Sequence, residues 1–276
     1  MSTWILLRGL TRETRHWSRL PDVLREAAGA SGVSLIDLPG NGEFAHLRAP
    51  ATVAGMVDFV RIAAVQGVAN GTGTVGAGPT DITTRGPFNV LAMSLGGMVA
   101  TAWAQRHPGE VARLVLINTS MRPFARSTER LRPAAWPTLA RIARTWTRPE
   151  QCEALIHDLT CNRVDARDAD IAQWAHFRRT HGASAANALR QLTAAARFRA
   201  GRDAPRCPVL LLSSAADRLV DPICSVRIAT QWRASHTVHP WAGHDLPHDA
   251  ADWTCKAIAA WLDEHEAARD IRVTSA

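Results

Sequence analysis

The sequence predicts an α/β fold in which helices cover both faces of a mainly parallel, doubly wound sheet of about six strands. Short apolar runs rich in Val, Ile and Leu alternate along the chain with stretches of helical spacing. These runs lack the polar alternation of a half-exposed strand, as is typical of strands that are buried on both faces. One long stretch late in the chain has helical spacing only, which predicts a helical insertion.

The apolar runs predict six strands, at 4–9, 33–40, 89–94, 112–120, 208–217 and 235–243. Helical spacing predicts helices at 17–28, 52–66, 95–106 and 250–266. Residues 70–87 are rich in Gly and Thr, which predicts a flexible loop without a phosphate-binding pattern. Because ligands of such sheets bind beyond the carboxyl ends of the strands, residues just past those ends are candidates for a site.

The insertion at 123–202 carries Arg, Ala, Trp and Leu at helical spacing, for example TLARIARTW at 138–146. We interpret it as a helical cap over the site, with residues 1–122 and 203–276 forming the core. Such a cap, held mainly by its own contacts, is expected to move relative to the sheet. Its large aromatic residues are interpreted as packing residues, of which one or two face the cavity: Trp136, Trp146, Trp174 and Phe177.

The composition excludes several classes of protein. The 276 residues are 46% apolar, and the net charge of +7, from 32 basic and 25 acidic residues, comes almost entirely from scattered arginines. There is no basic helix or RNA-binding signature, so no nucleic-acid partner is predicted. Five dispersed cysteines predict no disulfide framework. Without a signal peptide or a membrane-length apolar run, the sequence predicts a cytoplasmic protein with no membrane partner.

Ser94 follows the third predicted strand in the sequence AMSLG and precedes a helix. The small residues Ala92 and Gly96 would let strand and helix pack closely around it, and the pattern matches G-x-S-x-G with Ala for the first Gly. The helix N-terminus would favour negative charge at this turn. A helix-capping serine is the simpler interpretation of the motif alone.

A serine nucleophile needs a base, and the base needs an acid to orient it. His244 lies just past the sixth predicted strand, and Asp217 ends the fifth. The chain order is therefore Ser94, Asp217, His244, which is the order of one class of hydrolases. The sequence predicts these three residues as a catalytic triad.

Other polar residues could compete with the predicted triad. Asp221 precedes a proline and is better interpreted as a helix cap. His248 follows Pro247 and is expected at the rim of the site, and Asp245 is expected to be structural. His16 and Trp17 are interpreted as packing residues, with pocket lining as the alternative.

With these motifs in their order, the chain resembles the α/β-hydrolase superfamily over nearly its whole length. The matching pieces are LLRGL, LIDLPGNG, AMSLGGMVA, HPGEVARLVLINTS, SSAADRLVDP and AGHDLP. The resemblance implies an oxyanion hole made by the backbone N–H groups of Leu10 and Leu95. Two departures stand out: Arg8-Gly9 replaces the usual His-Gly, and the leading hairpin of the family is expected to be absent.

The resemblance and the triad together predict a serine hydrolase that cleaves a carboxylic ester through an acyl-enzyme intermediate. Hydrolysis of a lactone, of an acyl ester on an acidic carrier protein, or of a C–C bond stays open, as does a non-catalytic ligand-binding role. The carrier-protein alternative resembles the methyl esterase of biotin synthesis. A small-molecule ester is the expected substrate, and no cofactor or metal ion is predicted.

Overall fold

A computed structural model describes residues 3–66 and 86–274 and contains a six-stranded, all-parallel sheet. The strands are β1 (Thr3–Leu7), β2 (Gly32–Ile36), β3 (Phe88–Met93), β4 (Val111–Ile117), β5 (Val209–Ser214) and β6 (Ser235–His239). Their order across the sheet is β2-β1-β3-β4-β5-β6. This sheet, flanked by helices, confirms the predicted fold class. The predicted Gly- and Thr-rich loop lies almost wholly outside the described residues.

Helices connect the strands and also fill the insertion. The connecting helices are α1 (Leu20–Ala27), α2 (Val53–Gln66), α3 (Leu95–Arg106), α9 (Ile223–Trp232), α10 (Leu246–Asp249) and α11 (Ala251–Thr274). Between β4 and β5 lie α4 (Ser127–Arg130), α5 (Trp136–Arg144), α6 (Pro149–Thr160), α7 (Arg167–His181) and α8 (Ala185–Arg197).

Successive strand residues point to opposite faces of the sheet and build two hydrophobic cores. Leu6 and Leu91 belong to the core that α1 and α11 cover. Leu7 and Val90 belong to the core on the other face, which contains residues of α2, α3 and α9. Because both faces are covered there, the inner strands β1, β3, β4 and β5 read as nearly continuous apolar runs, whereas the edge strand β6 is polar and partly exposed.

Strands β5 and β6 end earlier than the sequence predicts. β5 ends at Ser214 and β6 at His239, so Asp217 and His244 lie on the loops that follow. The reason at Asp217 is local, because its carboxylate accepts hydrogen bonds from the backbone N–H groups of Leu219 and Val220, at 2.8 and 2.9 Å. These bonds close a turn that a continuing strand would not allow.

The insertion interrupts two neighbouring strands, since β4 pairs with β5 in parallel. Its two ends lie side by side, where Arg122 and Arg199 form an isolated parallel bridge and the N–H of Ala200 donates to the carbonyl of Arg122 at 2.8 Å. The division into a core and a cap of residues 123–202 stays a prediction.

Among the described residues, no helix is long and apolar enough to span a bilayer.

Candidate active site

Ser94 lies at the sharp turn between β3 and α3. Its backbone has φ 53° and ψ −117°, a left-handed conformation that is rare outside glycine. Strand and helix approach closely here, because a Cβ on Gly96 would lie 2.5 Å from the carbonyl oxygen of Leu7. Gly96 is therefore required for packing, and the turn presents the Ser94 hydroxyl at the carboxyl end of the sheet.

Ser94, His244 and Asp217 lie in a continuous line of contacts. The hydroxyl oxygen of Ser94 is 3.1 Å from Nε2 of His244, and Nδ1 of His244 is 2.7 Å from Oδ2 of Asp217. His244 and Asp217 are buried, whereas Ser94 is half-buried. The loop at His244 is fixed by Asn118, whose side-chain amide donates to the His244 carbonyl at 2.8 Å. This arrangement can move a proton from the hydroxyl to an imidazole that a carboxylate orients.

The structure separates the competing residues from this line. Asp221 accepts a hydrogen bond from the backbone N–H of Ile223 at 3.0 Å, as expected of a residue at the start of a helix. The prediction that His248 lies at the rim is wrong. His248 is buried, and its Nε2 lies 2.9 Å from the carboxylate of Asp170 in α7, because helix α10 turns inward beneath the insertion.

The backbone around the predicted oxyanion hole lies close to Ser94. A Cβ on Gly9 would lie 3.1 Å from the Cβ of Ser94, so the loop that carries Leu10 runs directly past the serine. Leu95 is the first residue of α3, and the first four N–H groups of a helix have no partner within it. Both backbone donors therefore belong to segments that adjoin Ser94, and their role as an oxyanion hole stays a prediction.

Arg8, which replaces the usual histidine, forms a buried ion pair with Asp245. Two guanidinium nitrogens donate to the two carboxylate oxygens, at 3.1 and 2.5 Å, and both side chains are almost fully buried. Arg8 also stacks over Trp17 at 4.8 Å. Burial is the largest single influence and opposes ionisation of Asp245, but the charge and hydrogen bonds of Arg8, together with the nearby His248 and Arg12, outweigh it and lower the pKa of Asp245 to about 2. The pair joins the Gly9–Leu10 loop to the residue beside His244.

Substitution of Arg8 by methionine should destabilise the protein by about 3–5 kcal/mol, because it leaves the Asp245 carboxylate buried without a partner. The double variant Arg8→Met/Asp245→Leu should recover most of this loss, since two apolar side chains need no compensation. Urea unfolding of the two single variants and the double variant measures the coupling.

The pH dependence of unfolding gives a control for this pair. The folded-state pKa of Asp245 is lower than that of an unfolded aspartate, so the pair stabilises the protein above about pH 4. That contribution should disappear as the pH falls toward 2.

If the losses of stability in the two single variants simply add up in the double variant, Arg8 and Asp245 do not depend on each other.

A mainly apolar cavity of about 120 Å³ opens at Ser94 and His244. The insertion lines it with side chains from α5, α6 and the segment between them: Leu139, Ile142, Trp146, Ile156 and Leu159. Leu10, Thr11 and Arg12 line it as well. Helices α5 and α6 therefore contribute part of the wall of the candidate site.

The insertion is not held by its own contacts alone. Glu153 in α6 is buried and accepts hydrogen bonds from Arg12, at 2.6 Å, and from Arg178 in α7, at 2.6 Å. Gln191 in α8 accepts from the backbone N–H of Thr11 at 2.9 Å. These contacts join the insertion to the loop after β1, which disfavours the free movement that the sequence predicts for the cap.

The tryptophans of the insertion differ in their burial, although the sequence around each of them has helical spacing. Trp146 lines the cavity, and Arg178 lies over its ring at 4.5 Å. Trp136 is 54% exposed, and Trp174 is buried against His16. His16 and Trp17 are buried and do not line the cavity, in agreement with their interpretation as packing residues.

The roles of Arg8, Asp245 and Glu153 in joining these loops could not be found from the sequence. Arg8 and Asp245 stand 237 residues apart, and Arg12 and Glu153 stand 141 apart. No periodicity links such partners. The replacement of the usual histidine by Arg8 was the one available signal, because an arginine buried in an apolar strand end requires an acidic partner.

Comparison with known proteins places the chain in a hydrolase family. The model of the family described as serine aminopeptidase, S33, matches residues 77–250. An esterase from Exiguobacterium antarcticum superposes with a TM-score of 0.69 at 14% identity, covering 95% of this chain and 92% of that one. A membrane phospholipase A, described as a bacterial virulence factor, superposes with a TM-score of 0.68 at 21% identity, covering 95% and 79%. At these identities, the structural likeness shows the fold alone.

A curated relative matches over a shorter stretch. The biotin biosynthesis bifunctional protein BioHC of Teredinibacter turnerae is 28% identical over 120 residues, which are 43% of this chain and 17% of that protein. The match therefore spans less than a fifth of the relative.

Proposed function

Because the chain belongs to the hydrolase family described as serine aminopeptidase, S33, within the α/β-hydrolase superfamily, we propose that it is a serine hydrolase that cleaves carboxylic esters. The observation that carries the proposal is the line of contacts from Ser94 through His244 to Asp217, which opens on an apolar cavity. The family and the fold support hydrolysis, and the cavity supports an ester with an apolar acyl group.

In the proposed reaction, His244 takes the proton of Ser94 as the hydroxyl oxygen attacks the ester carbonyl carbon. Asp217 orients the imidazole and stabilises its positive charge. The backbone N–H groups of Leu10 and Leu95 stabilise the oxyanion, and one such donor typically contributes about 3 kcal/mol. The alcohol leaves with the proton from His244, and water then releases the acid by the same steps.

The lining of the cavity favours a neutral ester over a peptide with a free amino terminus. Asp245 is the one carboxylate among the described lining residues, and it is already paired with Arg8. A substrate ammonium group would therefore find no free carboxylate among the described residues of this wall. Apolar side chains from α5 and α6 suit an acyl chain.

A fluorophosphonate probe followed by a panel of p-nitrophenyl esters tests the proposal. We expect covalent labelling of Ser94, located by mass spectrometry, and turnover of acyl esters that fit a small cavity. Absence of labelling in folded protein would favour the non-catalytic alternative. Labelling without turnover of any ester would retain a serine hydrolase and reject the ester substrate.

Replacing Trp146 by alanine should shift the preference toward longer acyl chains, because it removes a large side chain from the cavity wall. The ratio of kcat/KM for a long-chain ester to that for acetate should rise by about tenfold, since added methylenes can then be buried. Steady-state kinetics on esters of graded length measure this ratio.

Trp136→Ala is the matched control, because Trp136 begins α5 yet is 54% exposed and does not line the cavity. Its chain-length preference should equal that of the wild type. An equal loss on every ester in Trp146→Ala would assign Trp146 to packing and remove it from selectivity.

An acyl ester carried on an acidic protein is the second candidate substrate. A neighbouring surface pocket of about 450 Å³, which shares Leu159 with the cavity, carries Arg132, Arg141 and Arg218. None of the three forms an ion pair within the described part of the chain; Arg132 and Arg218 donate to backbone carbonyls instead. Guanidinium groups without an ion pair suit an anionic partner, although Asp158 and Asp217 also line this pocket. The partial likeness to a biotin biosynthesis protein, BioHC, agrees with the carrier-protein alternative.

The two candidates differ in their salt dependence. With the acyl ester on an acidic carrier protein, kcat/KM should fall with added salt and with Arg141→Ala, because a long-range attraction is screened. With a free ester of the same acyl group, neither change should matter. Equal responses of both substrates would remove the carrier-protein candidate.

A further inference from the structure

A second group of chemically reactive side chains lies where the insertion meets α10, apart from Ser94, His244 and Asp217. His157 and Cys161 stand four residues apart at the end of α6, and His248 lies in α10. One nitrogen or sulfur atom from each lies within 4.8 Å of the others, and all three residues are buried. The i, i+4 spacing places His157 and Cys161 on the same side of the chain.

One atom of this group lacks a partner. Nε2 of His157 makes no hydrogen bond within the part of the chain that the structure describes, although only 1% of the residue is exposed. The nearby carboxylate oxygen of Asp170 stands 3.6 Å from it and 2.9 Å from Nε2 of His248. A buried polar atom without a partner is costly, so a group that binds it would stabilise the fold.

The donor types suit a zinc ion, and the spacing of His157, Cys161 and His248 is about 1 Å wider than a zinc site requires. Zinc in proteins takes four ligands from thiolate, imidazole and carboxylate, at about 2.0–2.3 Å, so that neighbouring ligand atoms lie about 3.5 Å apart. The three side chains would have to move together by about 1 Å.

A route to the group exists on the surface. An open pocket of about 660 Å³ is lined by both His157 and Cys161, together with Asn162 and Trp241. A hydrated cation can therefore reach two of the candidate ligands from solvent. The other two candidate ligands are Asp170 on α7 and His248 on α10.

We propose that His157, Cys161 and His248, with Asp170 as the fourth ligand, bind one Zn²⁺ ion in a structural site. The sequence predicts no metal, because the ligands come from three separate segments. On binding, the Cys161 thiol loses its proton to solvent and the thiolate bonds to zinc. The ion fastens α6 of the insertion to α10, which begins two residues after His244, and thereby fixes the covering helices over the cavity.

Titration of the chelator-treated, full-length protein with ZnCl₂ tests the site. Isothermal calorimetry should give one Zn²⁺ per chain, and saturating zinc should raise the Tm by about 5 °C. Co²⁺ in place of Zn²⁺ should show a thiolate-to-cobalt charge-transfer band, because one ligand is a cysteine. Cys161→Ser should abolish this band, and His248→Ala and Asp170→Asn should weaken zinc binding at least tenfold.

Three matched variants control for other histidines and cysteines. His176→Ala, on the exposed side of α7, and Cys207→Ser should bind zinc as the wild type does, and so should His244→Ala. The proposal is overturned if the wild type binds no zinc, if Cys161→Ser binds it unchanged, or if His244→Ala alone abolishes binding. If a ligand variant does not fold, the cobalt spectrum of the wild type decides, since absence of the thiolate band rejects the site.

Discussion

Replacement of Ser94 by alanine should lower kcat/KM for p-nitrophenyl esters by about 10⁶, because it removes the hydroxyl that lies 3.1 Å from Nε2 of His244. The Ser94 side chain makes no capping hydrogen bond to α3, so its removal costs the fold little. The free energy of unfolding should stay within about 0.5 kcal/mol of the wild-type value. Stopped-flow or long-endpoint ester assays measure the loss, with urea unfolding as the control for the fold.

The alanine variant must be purified in a host without related esterases, since a trace of contaminant could conceal a loss of this size. Residual turnover that follows the variant through purification and resists a fluorophosphonate would show that another residue is the nucleophile. Loss of both activity and fold would instead indicate that Ser94 is needed for the turn.

Asp217→Asn should lower kcat by about 10⁴, because the amide cannot hold the His244 imidazole in the tautomer that accepts the Ser94 proton. The carboxylate lies 2.7 Å from Nδ1 of His244. Because Asp217 is only 2% exposed, a water molecule cannot take the place of this hydrogen bond. Steady-state kinetics at neutral pH, on protein of verified fold, measure the effect.

Asp221→Asn is the matched control for Asp217, because it lies four residues on and is in contact with a helix N–H and not with His244. Asparagine also caps helices well, so both activity and stability should stay close to wild type. A larger loss at Asp221 than at Asp217 would reverse the assignment of the acid.

Much of the fold could be predicted because the inner parallel strands, which are buried on both faces, appear in the sequence as short runs of apolar residues. The sequence could also predict that Ser94, Asp217 and His244 lie close together. Each follows a strand, and the carboxyl ends of parallel strands meet at one edge of the sheet. The prediction needed only the order of the strands and the residue types that catalysis requires.

The wall of the candidate site could not be predicted in the same way. Trp136, Trp146 and Trp174 all fall in stretches whose sequence has helical spacing, yet one is exposed, one lines the cavity and one is buried against histidines. Their positions depend on how α5, α6 and α7 pack on one another, which a single-helix pattern does not contain. The burial of His248 was missed for the same reason.

The bridge between Arg122 and Arg199 has a consequence for how this protein folds and how it could evolve. β4 and β5 are separated by 91 residues, from 117 to 209, yet they must pair. Closing a flexible loop of that length slows pairing, and each doubling adds about 0.6 kcal/mol. Because the bridge between Arg122 and Arg199 holds the two ends of the insertion together, the cost of pairing β4 with β5 depends little on the length of the insertion. Helices between the two arginines could therefore be lengthened, shortened or exchanged while the β4–β5 register stays the same.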